Sequence, residues 1–307
     1  MKIDMPLFLM KRYIPCLKKL ADRGINLFLC CCGLAVLWLL AQVFCVASFH
    51  IPTDSMEPVL ETGDVILVNK LTYGARLFNV QDAIEGKQVK IRRMPGIGSI
   101  KRNDVVVFNY PCPKKWKRIE MDVMKYYVKR CVALPGDTFR IVDGHYRVDG
   151  YAGTLGCTDA QERFMTLIEE RGLDDRATGV RAYPGDSLIG WTVKEFGPLY
   201  IPKAGDTVTM DSRNARLYRN MVEWEQGKNL RYEGENVYLG DSLITAYHFL
   251  KNYYFVAGDK AENSRDSRYW GLLPEEYIVG KAVRVWKSTD PMTKEIRWER
   301  TFRRIDN

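Results

Sequence analysis

Ser55 and Lys129 are the two residues of this chain whose types could combine into hydrolytic chemistry. Ser55 lies in "FHIPTDSMEPVL", residues 49–60, and a serine attacks a carbonyl only when a neighbouring group removes its proton. Histidine is the usual base, yet the chain has three, His50, His145 and His248, and none sits in a setting where a carboxylate would orient it. Lysine can take the role if it is buried. Its reference pKa is about 10.4, and an apolar site lowers that value by penalising the ammonium. The candidate is Lys129 in "YYVKRCVALPGD". Period two on a strand puts Tyr127, Lys129 and Cys131 on one face and Val128, Arg130 and Val132 on the other.

Each residue also has an ordinary reading. Lys129 could be a solvated lysine of an amphipathic strand, Ser55 or Asp54 the cap of a short helical turn, and Met56 a core or membrane-contact residue. From spacing alone those readings are the commoner ones. Other chemistries have less to stand on. "GIGSIK" at 96–101 lacks the third glycine of a dinucleotide loop, no GxxxxGK is present, and residues 50–307 contain no CxxC pair. No metal or other cofactor is expected. Cys112 and Cys157 could pair in an oxidising compartment, and Cys131 reads as core.

The elements that must hold Ser55 and Lys129 begin with an anchor. No Asp, Glu, Lys or Arg occurs between Arg23 and Asp54, and Leu27 to Phe49 is apolar apart from Gln42 and Ser48. At about 1.5 Å per residue such a helix crosses the ~30 Å hydrocarbon layer, so one transmembrane helix is expected over 24–49. The basic segment 1–23, with six cations against two acids, predicts a cytoplasmic N-terminus. A cleaved signal peptide is the competing reading, and the apolar run is long for one. The mean hydropathy of −0.26 does not suggest a polytopic membrane protein, so any membrane segment is local. Half of the net charge of +8 lies before the span, which suits an anionic bilayer better than nucleic acid.

Beyond the span, β-branched runs at 64–70, 104–110, 126–134, 138–142, 253–258 and 278–286 alternate with Gly-Asp or Asp-Gly turn signals. They predict a mostly β fold with an antiparallel sheet. Helices are expected over 160–172 and 211–229, the latter with Leu217, Met221 and Trp224 on one face. Both fall in 151–250, read as an inserted α+β subdomain between the two parts of the β core, 50–150 and 251–307.

Four stretches in order behind the span, "IPTDSMEP", "RNDVVVFNYP", "YYVKRCVALPGD" and "GDKAENSRDSRYWG", resemble the successive boxes of bacterial type I signal peptidases, the leader peptidases. The resemblance implies a serine endopeptidase of the bacterial inner (cytoplasmic) membrane, with its catalytic domain periplasmic or extracellular. It would cut signal peptides from exported preproteins, with small residues first and third before the cut. Ser55 matches the nucleophile and Lys129 the general base. Ser264 matches a residue that hydrogen-bonds the lysine, and Thr53 a hydroxyl residue that forms the oxyanion hole with the Ser55 N–H. Arg130, Asp259, Asp266 and Arg268 match charged residues that brace the site, and Met56 is counted as supporting. The partners implied are preproteins and membrane lipid, with no nucleic acid, and a monomer is expected.

Two departures stand out. Lys260-Ala261-Glu262 interrupts a box that usually reads Gly-Asp-Asn-Arg-Asp-Asn-Ser, and Asp54 replaces a common glycine, where an inward-facing acid would raise the pKa of Lys129. Val59 also replaces a frequent threonine. Three other readings remain at this point: a Ser/Lys autopeptidase of the stress-repressor type, a membrane-anchored binding module without catalysis, and a basic DNA-binding protein.

Overall fold

Residues rich in Val, Ile, Tyr and Phe, punctuated by glycine turns, form strands because branched and aromatic side chains pack well on a pleated surface. The computed structural model describes residues 7–85, 87, 89–112, 118–171 and 182–305. Seven strands make the main sheet: β1 (Val46–His50), β2 (Asp64–Asn69), β3 (Val105–Asn109), β4 (Tyr126–Ala133), β5 (Tyr253–Ala257), β6 (Leu273–Pro274) and β7 (Ile278–Ser288). Their spatial order is β1-β2-β7-β3-β4-β5-β6. The pairings of β2 with β7, β7 with β3, β3 with β4, β4 with β5 and β5 with β6 are all antiparallel. The fold is mostly β, as the sequence predicts.

The chain divides into two compact units, Met1–Val46 and Ala47–Asn307. In the first, a helix runs from Leu7 to Phe44, and its segment Lys18–Phe44 is long and apolar enough to cross a membrane. The apolar run is not helical throughout: Val46–Phe49, expected inside the span, belong to β1.

The second unit has two cores. Alternate residues of β3 serve them in turn: Val106 and Phe108 enter the larger, Val105 and Val107 the smaller. Strand β3 is therefore buried on both faces. The simple alternation expected for β4 fails after Arg130, because Cys131 and Val132 both enter the larger core. A register shift opposite Phe255 and Val256 accounts for this, since a bulge breaks the two-residue period.

Between β4 and β5 lie three smaller sheets' worth of short strands and the helices Thr158–Arg171 and Ser212–Gln226. Asp143 and Gly144 turn the hairpin 138–148 with φ of 49° and 75°, as the Asp-Gly pair predicts. Helix Ser212–Gln226 starts at an Asp211 cap and stops at left-handed Gly227, burying Leu217 and Met221. Cys157 carries a free thiol, so the Cys112–Cys157 bridge considered above is not formed.

Candidate active site

Ser55 is presented by the turn between β1 and β2. Met56, 1 % exposed, and Leu60 drive the following residues into the smaller core, which leaves Ser55 half-buried at its rim. Burial of such a side chain stabilises by about 1.5–3 kcal/mol. Met56 thus supports the site as a core anchor. Farther along, Arg300 and Arg303 donate to the Val59 carbonyl at 3.2 and 2.7 Å, and Arg300 also pairs with buried Asp64 at 2.7 Å. The C-terminal segment therefore ties down the far end of the turn.

Strand β4 delivers Lys129, opposite Val106 of β3. Its Nζ lies 2.6 Å from Ser55 Oγ and donates to the Val128 carbonyl at 3.0 Å. The amine also stands 5.7 Å from the centre of the Tyr127 ring, consistent with the shared face predicted for these two residues. Lys129 is 3 % exposed. Burial pushes its pKa down to about 8, against an opposing pull from Asp266 and Asp259, while Arg268 pushes the same way as burial. At neutral pH the fraction of free amine is then far larger than for a solvated lysine.

Arg130, the next residue, projects elsewhere. Its guanidinium makes a bidentate pair with Asp259, at 2.7 and 2.8 Å, and donates to the Asn103 carbonyl at 2.8 Å. A second buried pair joins Asp266 to Arg268 at 2.9 and 2.8 Å. Asp266 also accepts the Gly258 N–H at 2.9 Å, and Arg268 donates to the Ala261 carbonyl at 3.0 Å. Although burial favours its neutral form, the Asp266 carboxyl is held below its ordinary range, chiefly by Arg268. These forks fix the segment 258–268 with geometry that a lysine would not reproduce.

Gly258 closes the approach of this segment to Ser55. A Cβ there would meet Ser264 Oγ at 2.2 Å and the Ser55 carbonyl oxygen at 2.6 Å. Ser264 Oγ and that carbonyl oxygen are therefore no farther apart than the sum of those distances. The hydrogen bond expected from Ser264 to Lys129 is not formed: the buried Ser264 hydroxyl turns toward the Asp266 carboxyl, which it helps to hold in its ionised form, without meeting, among the described residues, any acceptor at full hydrogen-bond geometry. Thr53 is exposed two residues before Ser55, and among the described residues the Ser55 N–H donates no hydrogen bond.

The histidines take no part. His145 bonds the Asp143 carbonyl, His248 bonds Thr207, and His50 is exposed on β1. Asp54 turns to Lys260 and Asn263, at 2.6 and 2.9 Å, and its pull on Lys129 is weaker than that of Asp266 or Asp259. Sequence reasoning did not find Lys260 or Asn263. The only signal was that Lys260, like Asp54, interrupts the expected pattern.

Residues 24–175 and 201–286 match the family described as "Signal peptidase, peptidase S26". A signal peptidase I of Pseudomonas aeruginosa is 31% identical over 261 residues, covering 81% of this chain and 68% of its own. That of Pseudomonas fluorescens is 30% identical over 261 residues, with the same two shares of 81% and 68%. A signal peptidase I of Buchnera aphidicola is 28% identical over 256 residues, covering 82% of this chain and 71% of its own.

Proposed function

The chain belongs to the signal peptidase family, peptidases that remove signal peptides from preproteins, and we propose that it acts as a single-pass membrane endopeptidase with Ser55 as nucleophile and Lys129 as general base. The observation that carries this reading is the 2.6 Å separation of Lys129 Nζ from Ser55 Oγ around a lysine that burial pushes toward its neutral form. A free amine has two N–H groups and one lone pair. With one N–H given to the Val128 carbonyl, the lone pair is available to the Ser55 hydroxyl.

In this mechanism the amine takes the Ser55 proton as Oγ attacks the scissile carbonyl. The unspent Ser55 N–H and the Thr53 hydroxyl stabilise the oxyanion. Lys129 then protonates the leaving amine of the substrate. Its own side chain, neutral again, takes a proton from the water that attacks the acyl-enzyme and returns it to Ser55 Oγ as the acyl group leaves. Ser264, whose hydroxyl is buried close to the Ser55 carbonyl, is the acceptor proposed for the second N–H of Lys129. Arg130–Asp259 and Arg268–Asp266 brace the residues that surround the dyad.

The apolar helix supports membrane anchoring. In the proposed orientation the N-terminus is cytoplasmic and the catalytic unit lies on the outer side of the bacterial inner membrane, where the precursor's cleavage site emerges. Residues 151–250 are an insertion in the catalytic β core. An extended precursor would add to a sheet edge, exposing alternate side chains to pockets.

The test is cleavage of a preprotein carrying an Ala-X-Ala site by the detergent-solubilised full chain, its Ser55→Ala and Lys129→Ala variants, from pH 6 to 10. Both variants should lose at least about 10³-fold in kcat/KM. The wild-type rate should rise with pH through about 8, because the base works only when deprotonated. Equal cleavage by Lys129→Ala would remove the lysine from the mechanism, and a wild type that cuts nothing would leave a binding module.

A further inference from the structure

Two acids flank the nucleophile in sequence, Asp54 and Glu57, and both converge on one lysine. Lys260 Nζ lies 2.6 Å from Asp54 Oδ2 and 2.9 Å from Glu57 Oε2. Asn263 Nδ2 donates to the other Asp54 oxygen at 2.9 Å. The Lys260 backbone N–H donates to the Ser55 carbonyl at 3.2 Å. One residue therefore grips the Ser55 turn twice, at its main chain and at the acids on either side of the serine.

Asp54 and Lys260 are 206 positions apart, and each departs from the pattern that the chain otherwise follows. The two departures meet in space. A lone carboxylate at Asp54 would favour the ammonium form of Lys129 and so deplete the base. The charges that act on Lys129 are Asp266, Asp259 and Asp54, which favour its protonation, and Arg268, which opposes it. Asp266 is paired with Arg268 and Asp259 with Arg130; Lys260 supplies the counter-ion for the third acid.

We propose that Lys260 is a positioning residue for hydrolysis: its amide and ammonium hold the Ser55 turn so that Oγ faces Lys129, and its charge offsets the acid beside the nucleophile. The inference rests on the Ser55–Lys129 dyad proposed above. It assigns a function to the pair of departures taken together, since an acid next to the serine is tolerated only with its lysine.

The test measures kcat and KM on the Ala-X-Ala preprotein from pH 6 to 10 for the solubilised full chain. The variants are Lys260→Met, Lys260→Arg, Lys129→Ala, Asp54→Gly, and Asp54→Gly combined with Lys260→Met. Lys260→Met should lower kcat at pH 7 by about 10- to 100-fold with KM little changed, as expected for a displaced nucleophile. Its rise with pH should move upward by about half a unit to one unit, because Asp54 is then uncompensated. Lys260→Arg should regain most of the rate, and Asp54→Gly added to Lys260→Met should return the pH profile to that of the wild type. Thermal unfolding of each variant checks that it is folded, and Lys260→Gln carries the same test if Lys260→Met is not.

A Lys260→Met enzyme with wild-type kcat and pH profile would overturn the proposal. So would a combined variant whose profile stays displaced, since the acid would then not be what Lys260 offsets. Cleavage by Lys129→Ala at the wild-type rate would overturn the dyad itself, and it is read from a variant that leaves Lys260 untouched.

Discussion

Lys129 and Lys260 both reach the segment that carries Ser55, one from strand β4 with its Nζ on Oγ, the other from the loop after β5 with its Nζ on Asp54 and Glu57. Lys129 is 3 % exposed and, among the described residues, makes no ion pair within 4 Å; burial drives its pKa down to about 8. The Lys260 side chain is 28% exposed, and its hydrogen bonds to two carboxylates raise its pKa. The same residue type is thus pushed toward its neutral form in one setting, as the proposed base must be, and kept as a fixed cation in the other. What separates them is whether the ammonium's charge is penalised by an apolar surround or matched by acids.

The sharpest way to break this comparison is to make one substitution at both positions. A guanidinium is always charged, so Lys129→Arg should lose at least about 10³-fold in kcat/KM at pH 8, whereas Lys260→Arg keeps its ion pairs and most of the rate. Preprotein cleavage by the two variants decides it. Comparable losses, or a working Lys129→Arg, would contradict the division of roles.

A smaller effect tests the segment that joins the two lysine environments. Gly258→Ala puts a methyl group 2.2 Å from Ser264 Oγ and 2.6 Å from the Ser55 oxygen, so the turn or the 258–264 segment must move. The expected result is a fall of about 10²-fold in kcat, with a lowered unfolding midpoint. An alanine variant with unchanged kinetics would mean that the nucleophile turn has slack that the distances do not suggest.

Legibility in the sequence followed the range of the interaction. The strands at 64–69, 105–109, 126–133 and 278–288 were readable because β-branched runs and glycine turns are local signals. So were the Asp143-Gly144 turn and both ends of helix Ser212–Gln226. The helix end at Phe44 was not, because nothing in the apolar run marks where helix gives way to strand. The bulge opposite Phe255 and Val256 was also hidden, since it depends on a partner strand more than a hundred residues away.

At the site, the ordered boxes brought Ser55, Lys129 and the charged residues Arg130, Asp259, Asp266 and Arg268 into view as candidates, while the buried pairing of Arg130 with Asp259 and of Arg268 with Asp266 came from the fold. The Asp54–Lys260 contact escaped because each residue looked like an isolated blemish until the fold joined them. The place of the Ser264 hydroxyl, close to the Ser55 carbonyl oxygen across Gly258, was equally invisible, because the two segments meet only in the fold.

The central claim is that Lys129 carries a depressed pKa while Lys260 does not. The most direct measurement is an NMR titration of the solubilised full chain labelled at the lysine side-chain carbons, with the Lys129 signal assigned by its loss in Lys129→Met. A midpoint near 8 for Lys129, with Lys260 remaining protonated throughout that range, is the predicted result. A Lys129 midpoint near the ordinary value of about 10.4 would contradict the account, because such a lysine could not serve as the base for Ser55.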